Sequence, residues 1–433
     1  MKVAIIGYGA EGKSALRYWK GLATNITICD QNDKLDIPEG IDSQLGVHYL
    51  ANMDRFDLIV RSAGVRPATI LEGNPRVADR ITTVVDEFLR ISPTTHIIGV
   101  TGTKGKGTTT TLIARMLEVA GYHVCCGGNI GLSPLEFLSE LTPKSWVVLE
   151  LSSFQLADLK HSPAIAVCLM IAPDHLDWHA DVSDYQLAKS QLFRYQQAGD
   201  IAIYYAKNKT SYAIASSGAG TTIPYFAAPG AYVDGGKIKI DSQVVCDVSE
   251  LGLLGKHNWE NVCAATTVIW QIKHDIKAIR AVASSFSGLP HRLEFVREIA
   301  GVRFYNDSFA SATPATEAAI DAIDIPKVVI IGGFDRMVPL NQIAQSIKGH
   351  EVTVRKVLLI GASAGRMGEA LRKADFRNYE IGTAVDMPAI VSQAYELSRP
   401  GDAVLLSPGF ASFDMFKNFE DRGRQFKEAV EAL

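Results

Sequence analysis

The sequence has no long uninterrupted apolar run, little excess of either charge, no clustered pair of metal-binding cysteines and no low-complexity stretch. Each absence removes a class of protein. The longest apolar stretches, such as residues 164–173, are too short and too punctuated to span a bilayer, so no membrane insertion is expected. The first residues run straight into Lys2-Val3-Ala4-Ile5-Ile6, which reads as a strand. The charged, apolar and small-residue regions of a secretory signal are not found there, and a cytoplasmic location is expected. A net charge of −4, with a pI near 6.2, gives no basic footprint for nucleic acid. The six cysteines are scattered at 29, 125, 126, 168, 246 and 263, several inside apolar runs. They read as buried free thiols of a reducing compartment, and no Cys-x-x-Cys spacing suggests zinc.

What is present is an ordinary globular composition, 433 residues with 47% hydrophobic and 21% charged side chains, enough for two to four domains with full cores. Short apolar runs alternate with helix-period segments from end to end, which argues for α/β architecture with mostly parallel sheets. Strands are expected near 2–6, 25–29, 57–61, 96–100, 146–150, 164–171, 201–205, 327–331, 356–360 and 402–406. Helices are expected near 11–20, 106–120, 183–197, 258–272, 313–323, 386–398 and 418–432. Residues 208–250, rich in Gly, Ala, Ser and Thr, read as a β-rich excursion. Linker-like breaks at Ile91–Thr95 and around Ser284–Pro290 divide the chain into domains 1–92, 93–287 and 288–433.

The most informative stretch is Gly99-Val100-Thr101-Gly102-Thr103-Lys104-Gly105-Lys106-Gly107-Thr108-Thr109, between an apolar strand and a good helix. Glycines let backbone N–H groups approach phosphates, and a helix N-terminus favours their charge. Lys106 would place its ammonium on the β- and γ-phosphates of ATP, and Thr108 or Thr109 could offer a hydroxyl to Mg²⁺. The general phosphate-loop pattern asks for Gly where Val100 stands. Glu150 ends the next apolar run at the sheet edge where α/β proteins bind ligands, within reach of a nucleotide-held Mg²⁺; read alone, a strand-end Glu is more often a cap or a surface charge. Asp174-His175-Leu176-Asp177 ends a further strand, and imidazole with carboxylates suits a metal ion facing phosphate oxygens. His179 reads as a surface residue, and Lys189, on a helix, as a solvated charge. Asn258 and Asn261 lie one helical turn apart, so both amides can face one ligand. Near the start, Gly7-Tyr8-Gly9-Ala10-Glu11-Gly12 follows a strand and opens a helix, and Asp30 ends the next strand. Alone, this is a dinucleotide fingerprint, and it supports the alternative of an NAD-dependent oxidoreductase.

Taken together, these stretches resemble the Mur ligase family across nearly the whole chain. The loop Gly102–Thr109 is similar to the family's Gly-Thr-x-Gly-Lys-(Ser/Thr)-(Ser/Thr), with Lys104 for the usual Asn and Gly107 for the hydroxyl residue after the lysine. Glu150-Leu151-Ser152-Ser153-Phe154-Gln155-Leu156 matches the signature of the glutamate-adding members residue for residue. The resemblance implies three Rossmann- or P-loop-type α/β domains, for the UDP-substrate, ATP and the amino acid in chain order. Gly102, Thr103, Gly105, Lys106, Thr108, Asn258, Asn261, Arg292 and Asp307 are then expected to bind ATP. Thr108, Glu150, His175 and Lys189 are expected to hold two Mg²⁺ ions, with Lys189 carbamylated by CO₂. Gly7, Gly9, Asp30, Ser62, Gly64 and Asn129 are expected to bind the UDP-substrate, with Ala63 where the family's Ser-Pro-Gly loop has Pro. Gly288-Leu289-Pro290-His291-Arg292 is similar to the hinge into the last domain, whose closure would bring Arg292 to phosphate and His291 near the reacting groups. Lys106, Lys189, His175 and His291 are the expected catalytic residues. Ser311, Arg336, Ser412 and Phe419 are expected to receive the amino acid.

The implied reaction phosphorylates the alanyl carboxylate of UDP-N-acetylmuramoyl-L-alanine and couples it to glutamate, for peptidoglycan and hence for cell shape and division. The implied protein is a monomer. Asp307-Ser308-Phe309-Ala310-Ser311 departs from the family's Asp-Ser-Lys-Ala-Thr, and Arg336 replaces a lysine. These changes suggest a rebuilt amino-acid site, so L-glutamate stands beside D-glutamate as an expectation. A folylpolyglutamate synthase is disfavoured by the Rossmann-like start and by the 150–156 signature. A non-catalytic nucleotide-binding relative is the remaining alternative.

Overall fold

The computed structural model describes residues 1–253 and 255–433. The chain forms two compact units: Met1–Glu250 with His257–Ser284, and Leu251–Lys256 with Ser285–Leu433. Three main sheets are distributed over them, two in the first unit and one in the second.

The first sheet has five parallel strands in the order Asp42–Leu45, Asn25–Asp30, Lys2–Ile6, Leu58–Arg61, Ile81–Thr82. The second has six, all parallel, in the order Thr221–Tyr225, Ile201–Tyr205, Ile165–Cys168, Ile97–Thr101, Trp146–Glu150, Val124–Gly128. Ile97–Thr101 lies at the centre with every residue buried, which is why it reads as a continuous apolar run and not as an alternating one. Its register pairs Val100 with Glu150 on one side and Thr101 with Cys168 on the other. The loop after it therefore emerges between the ends of two neighbours, the crevice where open α/β sheets take ligands. A small antiparallel sheet, Tyr232–Asp234, Lys237–Ile240 and Gln243–Asp247, follows.

The second unit carries six strands in the order Glu294–Ile299, Val302–Asn306, Ala403–Leu406, Lys327–Gly332, Val354–Ile360, Tyr379–Ile381, antiparallel only at the first pair. Apolar side chains from both of its faces pack under helices such as Asn341–Gly349 and Ala364–Lys373 on one side and Met387–Glu396 and Phe419–Glu431 on the other.

All ten expected strands and all seven expected helices are present, with ends shifted by a few residues. The excursion 208–250 needs correction: it begins with a helix, Lys209–Ala215, capped by the Asn208 side chain, and its first strand joins the main sheet. Among the described residues, no helix is long and apolar enough to cross a membrane.

Candidate active site

The phosphate loop is shaped by two glycines that no other residue could replace without displacement. Gly102 has φ +155°, and a Cβ there would sit 2.6 Å from Leu169 Cβ; Gly105 has φ +85°, and its Cβ would sit 2.3 Å from Asn261 Oδ1. Gly105 is the cap of helix Lys106–Val119, gives it no side-chain bond, and leaves its first turn without an acidic residue. The helix N–H groups are thus left for an external anion. Lys106 Nζ donates to the carbonyls of Gly102 at 3.1 Å and Thr103 at 3.2 Å, which holds the ammonium over the loop. The Thr103 hydroxyl is committed to Tyr185 OH at 2.8 Å and to Ala172, so it braces the loop against the next strand end. Thr109 is buried and donates to Asn261 Oδ1 at 3.3 Å; the Asn261 amide donates in turn to Asn258 Oδ1 at 2.8 Å. The two asparagines therefore face one another and the loop helix. No described residue takes the half-buried Thr108 hydroxyl, which leaves it as the loop's available oxygen ligand.

Glu150 is only 3% exposed. Its Oε1 accepts from Asn129 Nδ2 at 2.8 Å, while Oε2 is buried with no hydrogen-bond partner among the described residues. A buried carboxylate oxygen left unmatched is expensive, and a cation is the natural group to satisfy it. Asn129, expected at the UDP-substrate, is thus tied directly to an expected metal ligand. Lys189 is not the solvated helix charge that its position alone suggests. It is 1% exposed, and its Nζ donates to Gly102 O at 3.0 Å and Thr101 Oγ1 at 3.3 Å, 4.7 Å from the Tyr185 ring. Burial first, and the Lys106 charge second, bring its amine down from 10.5 to about 7. Two amines therefore converge on one carbonyl, that of Gly102.

His175 is exposed, with a left-handed backbone (φ +53°) and its ring 4.9 Å from Phe154. His179 corrects the sequence reading, because it is not on the surface. It is 2% exposed, contacts Asp184 Oδ2 through Nδ1 at 3.1 Å and Ser153 Oγ through Nε2 at 2.9 Å, and packs among Phe154, Trp178 and Tyr185. The turn that returns His179 N–H to His175 O folds it inward, and burial lowers its pKa below the ordinary value. The described residues contain no ready cluster of three or more His, Cys, Asp or Glu around a common point.

In the first sheet, Gly7 (φ +84°) turns the chain, and a Cβ on Gly12 would meet Gly7 O at 2.0 Å. Gly9 caps helix Ala10–Trp19 without a side chain, so this helix start is also open to an anion. Asp30 accepts from Tyr8 N at 2.7 Å and Asn32 N at 2.9 Å, which makes it a brace of the loop. Ser62 Oγ donates to Gly7 O at 2.6 Å, and Gly64 is exposed beside it.

In the second unit, His291 (φ +64°) accepts at Nδ1 from the Asn306 amide at 2.9 Å, and Asn306 also donates to Gly423 O and Glu294. Burial lowers the His291 pKa, in keeping with a neutral ring that accepts at Nδ1. A Cβ at Gly423 would lie 2.2 Å from that nitrogen, which explains the glycine after Arg422. The Arg292 guanidinium sits 3.8 Å from the centre of the Phe309 ring, and Phe309 meets Phe419 edge-on at 5.1 Å. Asp307 is buried; its carboxylate accepts from Ser407 Oγ at 2.7 Å and Leu293 N at 3.1 Å. Burial pushes Asp307 up to about 7, against the lowering effect of those bonds and of Arg292 and Arg422.

Ser311 N–H returns to Phe309 O, tightening the loop after Asp307. Sequence reasoning passed over Arg422, which is 1% exposed and donates to Ser308 Oγ and O and to Phe410 O. Ser412 is buried and accepts Phe416 N at its carbonyl, whereas Arg336 is exposed beside Asp335, which Arg366 binds at 2.6 Å. Phe334 N–H pairs with Ala411 O, so the segments carrying Arg336 and Ser412 lie side by side.

The fold and this loop define an α/β enzyme whose central strand leads through a glycine-shaped turn into an open helix start. Residues 100–269 match the Mur ligase middle domain, and residues 291–410 match the Mur ligase glutamate ligase domain. The chain is 36% identical to a UDP-N-acetylmuramoylalanine–D-glutamate ligase of Clostridium kluyveri, over 99% of this chain and 96% of that protein. It is 33% identical to the ligase of the same name from Clostridium tetani, over 100% and 97%. Its fold resembles the crystal structure of UDP-N-acetylmuramate–alanine ligase from Thermotoga maritima, with a TM-score of 0.62 at 14% identity, over 100% of this chain and 99% of that one. The chain belongs to the Mur ligase family.

Proposed function

We propose that this protein is the ATP-dependent ligase that joins D-glutamate to UDP-N-acetylmuramoyl-L-alanine in peptidoglycan precursor synthesis, acting as a monomer in the cytoplasm. The observation that carries the reading is the convergence of Lys106 and Lys189 on Gly102 O beside the unmatched Glu150 oxygen, in a chain whose full-length relatives carry that activity in their name. The alanyl carboxylate attacks the γ-phosphorus of ATP, ADP leaves, and an acyl phosphate forms. The glutamate amine then attacks the acyl carbon, and phosphate leaves the tetrahedral intermediate. Lys106 stabilises charge on the transferring phosphoryl group. The helix start at Lys106 holds the ATP phosphates, and the one at Ala10 holds the UDP diphosphate.

The residues fit two Mg²⁺ ions, since that ion keeps waters and phosphate oxygens and needs only one or two protein carboxylates. Glu150, Thr108, His175 and carbamylated Lys189 would hold them, and bound Mg²⁺ neutralises charge on the phosphate oxygens. An amine titrating at about 7 is about half unprotonated at neutral pH, and that form is the one that attacks CO₂; the resulting carbamate would replace a buried cation with an anion. Arg292 offers a guanidinium to phosphate, Asn258, Asn261 and Asp307 serve the nucleotide, and His291 serves the reacting groups. Ser311, Arg336, Ser412 and Phe419 receive glutamate.

One observation favours a second reading, L-glutamate specificity: Phe309 places a ring, occupied by Arg292, where the family has a lysine. Phosphate release from ATP with UDP-N-acetylmuramoyl-L-alanine decides between them. Release with D-glutamate supports the main reading, release with L-glutamate alone supports the second, and release with neither refutes both.

A further inference from the structure

The loop Ser62–Val65 is held by side chains that are not among the expected site residues. Arg61, at the end of strand Leu58–Arg61, is fully buried. Its guanidinium binds Asp158 through Nε at 3.0 Å and Nη2 at 2.5 Å, and Phe154 O at 3.0 Å. Its Nη1 donates to the carbonyls of Ser62, Ala63 and Val65 at 3.2, 3.3 and 2.9 Å. The remaining carbonyl of the loop, Gly64 O, accepts from Trp178 Nε1 at 3.2 Å. All four carbonyls are thus turned toward donors of the protein.

The amide side is fixed as well. Glu11 accepts from Ala63 N at 2.7 Å with one oxygen and from Gln155 Nε2 at 2.8 Å with the other. A proline at position 63 has no N–H to give, so Ala63 supplies a bond that the Ser-Pro-Gly pattern cannot make. Asp158, Phe154 and Gln155 belong to the segment that directly follows Glu150.

We infer that Arg61 and Glu11 are positioning residues, fastening the substrate loop Ser62–Val65 to the 153–158 segment so that the nucleotide sugar is seated by the same stretch of chain that carries Glu150. This rests on the ligase reading above. A guanidinium is suited to the task because its planar fork serves a carboxylate and several carbonyls at once, whereas an ammonium is a single point.

The test is Arg61→Lys in the full chain, with calorimetric binding of UDP-N-acetylmuramoyl-L-alanine and, separately, of ADP. Lysine keeps the ion pair with Asp158 but cannot also span the loop carbonyls. The nucleotide sugar should bind about tenfold more weakly, while ADP binding changes less than about twofold. Asp158→Asn, at a partly exposed side chain, loosens the same guanidinium and should act in the same direction even if Arg61→Lys folds poorly. Both variants binding the nucleotide sugar like the wild type, with only a lowered melting temperature, would overturn the inference and leave Arg61 a purely structural group. A wild type that binds ADP but not the nucleotide sugar would instead bring down the ligase reading, and this inference with it.

Discussion

Replacing Asp307 by Asn should make the second unit more stable at pH 8 and less stable, by about 1 kcal/mol, at pH 4. Asp307 is buried and titrates near 7 in the folded chain, against 3.8 for the free side chain. Between those values the unfolded chain has lost the proton and the folded chain has kept it. Folded stability therefore falls as pH rises through this window and is flat above about 7. Three pH units at 1.36 kcal/mol each give roughly 4 kcal/mol lost by pH 8. Asparagine holds the same shape without ionising: its oxygen can accept from Leu293 N and its amide can donate to Ser407 Oγ. A poorer hydrogen bond would cost about 1 kcal/mol, leaving a net gain of roughly 3 kcal/mol at pH 8. The neighbouring cations work against this gain, and Arg422, itself brought down to about 10 by burial, is the one to watch. Tryptophan fluorescence cannot read the result, because Trp19, Trp146, Trp178, Trp259 and Trp270 all lie in the first unit. Hydrogen exchange in Val302–Asn306 and Ala403–Leu406, corrected for intrinsic rates, can. Equal protection of the two proteins at both pH values, or a wild type that gains on the variant as pH rises, would refute the argument.

Lys106→Ala should lower the rate of phosphate release by about 10²-fold or more while the protein still folds, and normal turnover would contradict the loop assignment. Lys189→Arg should abolish the carbamate resonance expected from the wild type in ¹³C-bicarbonate, because a guanidinium stays protonated and is not carbamylated; a retained signal would place it on another amine. Phe309→Leu should raise the KM for ATP by about threefold to tenfold, as the loss of one cation–π contact predicts, with Phe309→Trp restoring it; an unchanged KM in steady-state assays would count against Phe309 as the support of Arg292.

The strands were legible because nearly all the central ones are buried on both faces, so they appear as unbroken apolar runs. Asp42–Leu45, Glu294–Ile299 and Tyr379–Ile381 were not, because they are edge strands with no fully buried residue; Ile81–Thr82, Val124–Gly128 and the interior strand Val302–Asn306 were passed over as well. The small sheet after residue 230 was visible only as a composition bias, and the helix Lys209–Ala215 was hidden by the same bias. The phosphate loop could be read from its glycines, and both key positions require that backbone. The environment of each site residue could not. Nothing in a helical lysine announces that it is 1% exposed, and nothing in the pattern around His179 announces that Asp184 and Ser153 lie against its two nitrogens. Such facts depend on contacts between segments that sequence spacing leaves undefined.

The departures from the family pattern gain meaning from their neighbours. Gly107 removes a hydroxyl from a buried helix position, and of the two threonines that follow, Thr109 is spent on Asn261, while the half-buried Thr108 next to it carries a second hydroxyl. Ala63 replaces a proline, and the N–H it provides is taken by Glu11. Phe309 replaces a cation, and its ring carries the guanidinium of Arg292. In each case the lost group has a physical substitute within a few residues or within one side-chain contact. A chain drifting away from function would be expected to lose such groups without replacement, leaving buried donors and acceptors unmatched at the altered positions. Five buried side-chain oxygens have no partner among the described residues, on Thr110, Glu150, Gln196, Thr266 and Glu317, and none of them belongs to Ala63, Gly107 or Phe309; the one on Glu150 lies in a stretch that matches the pattern throughout, and a cation is the kind of group that would satisfy it.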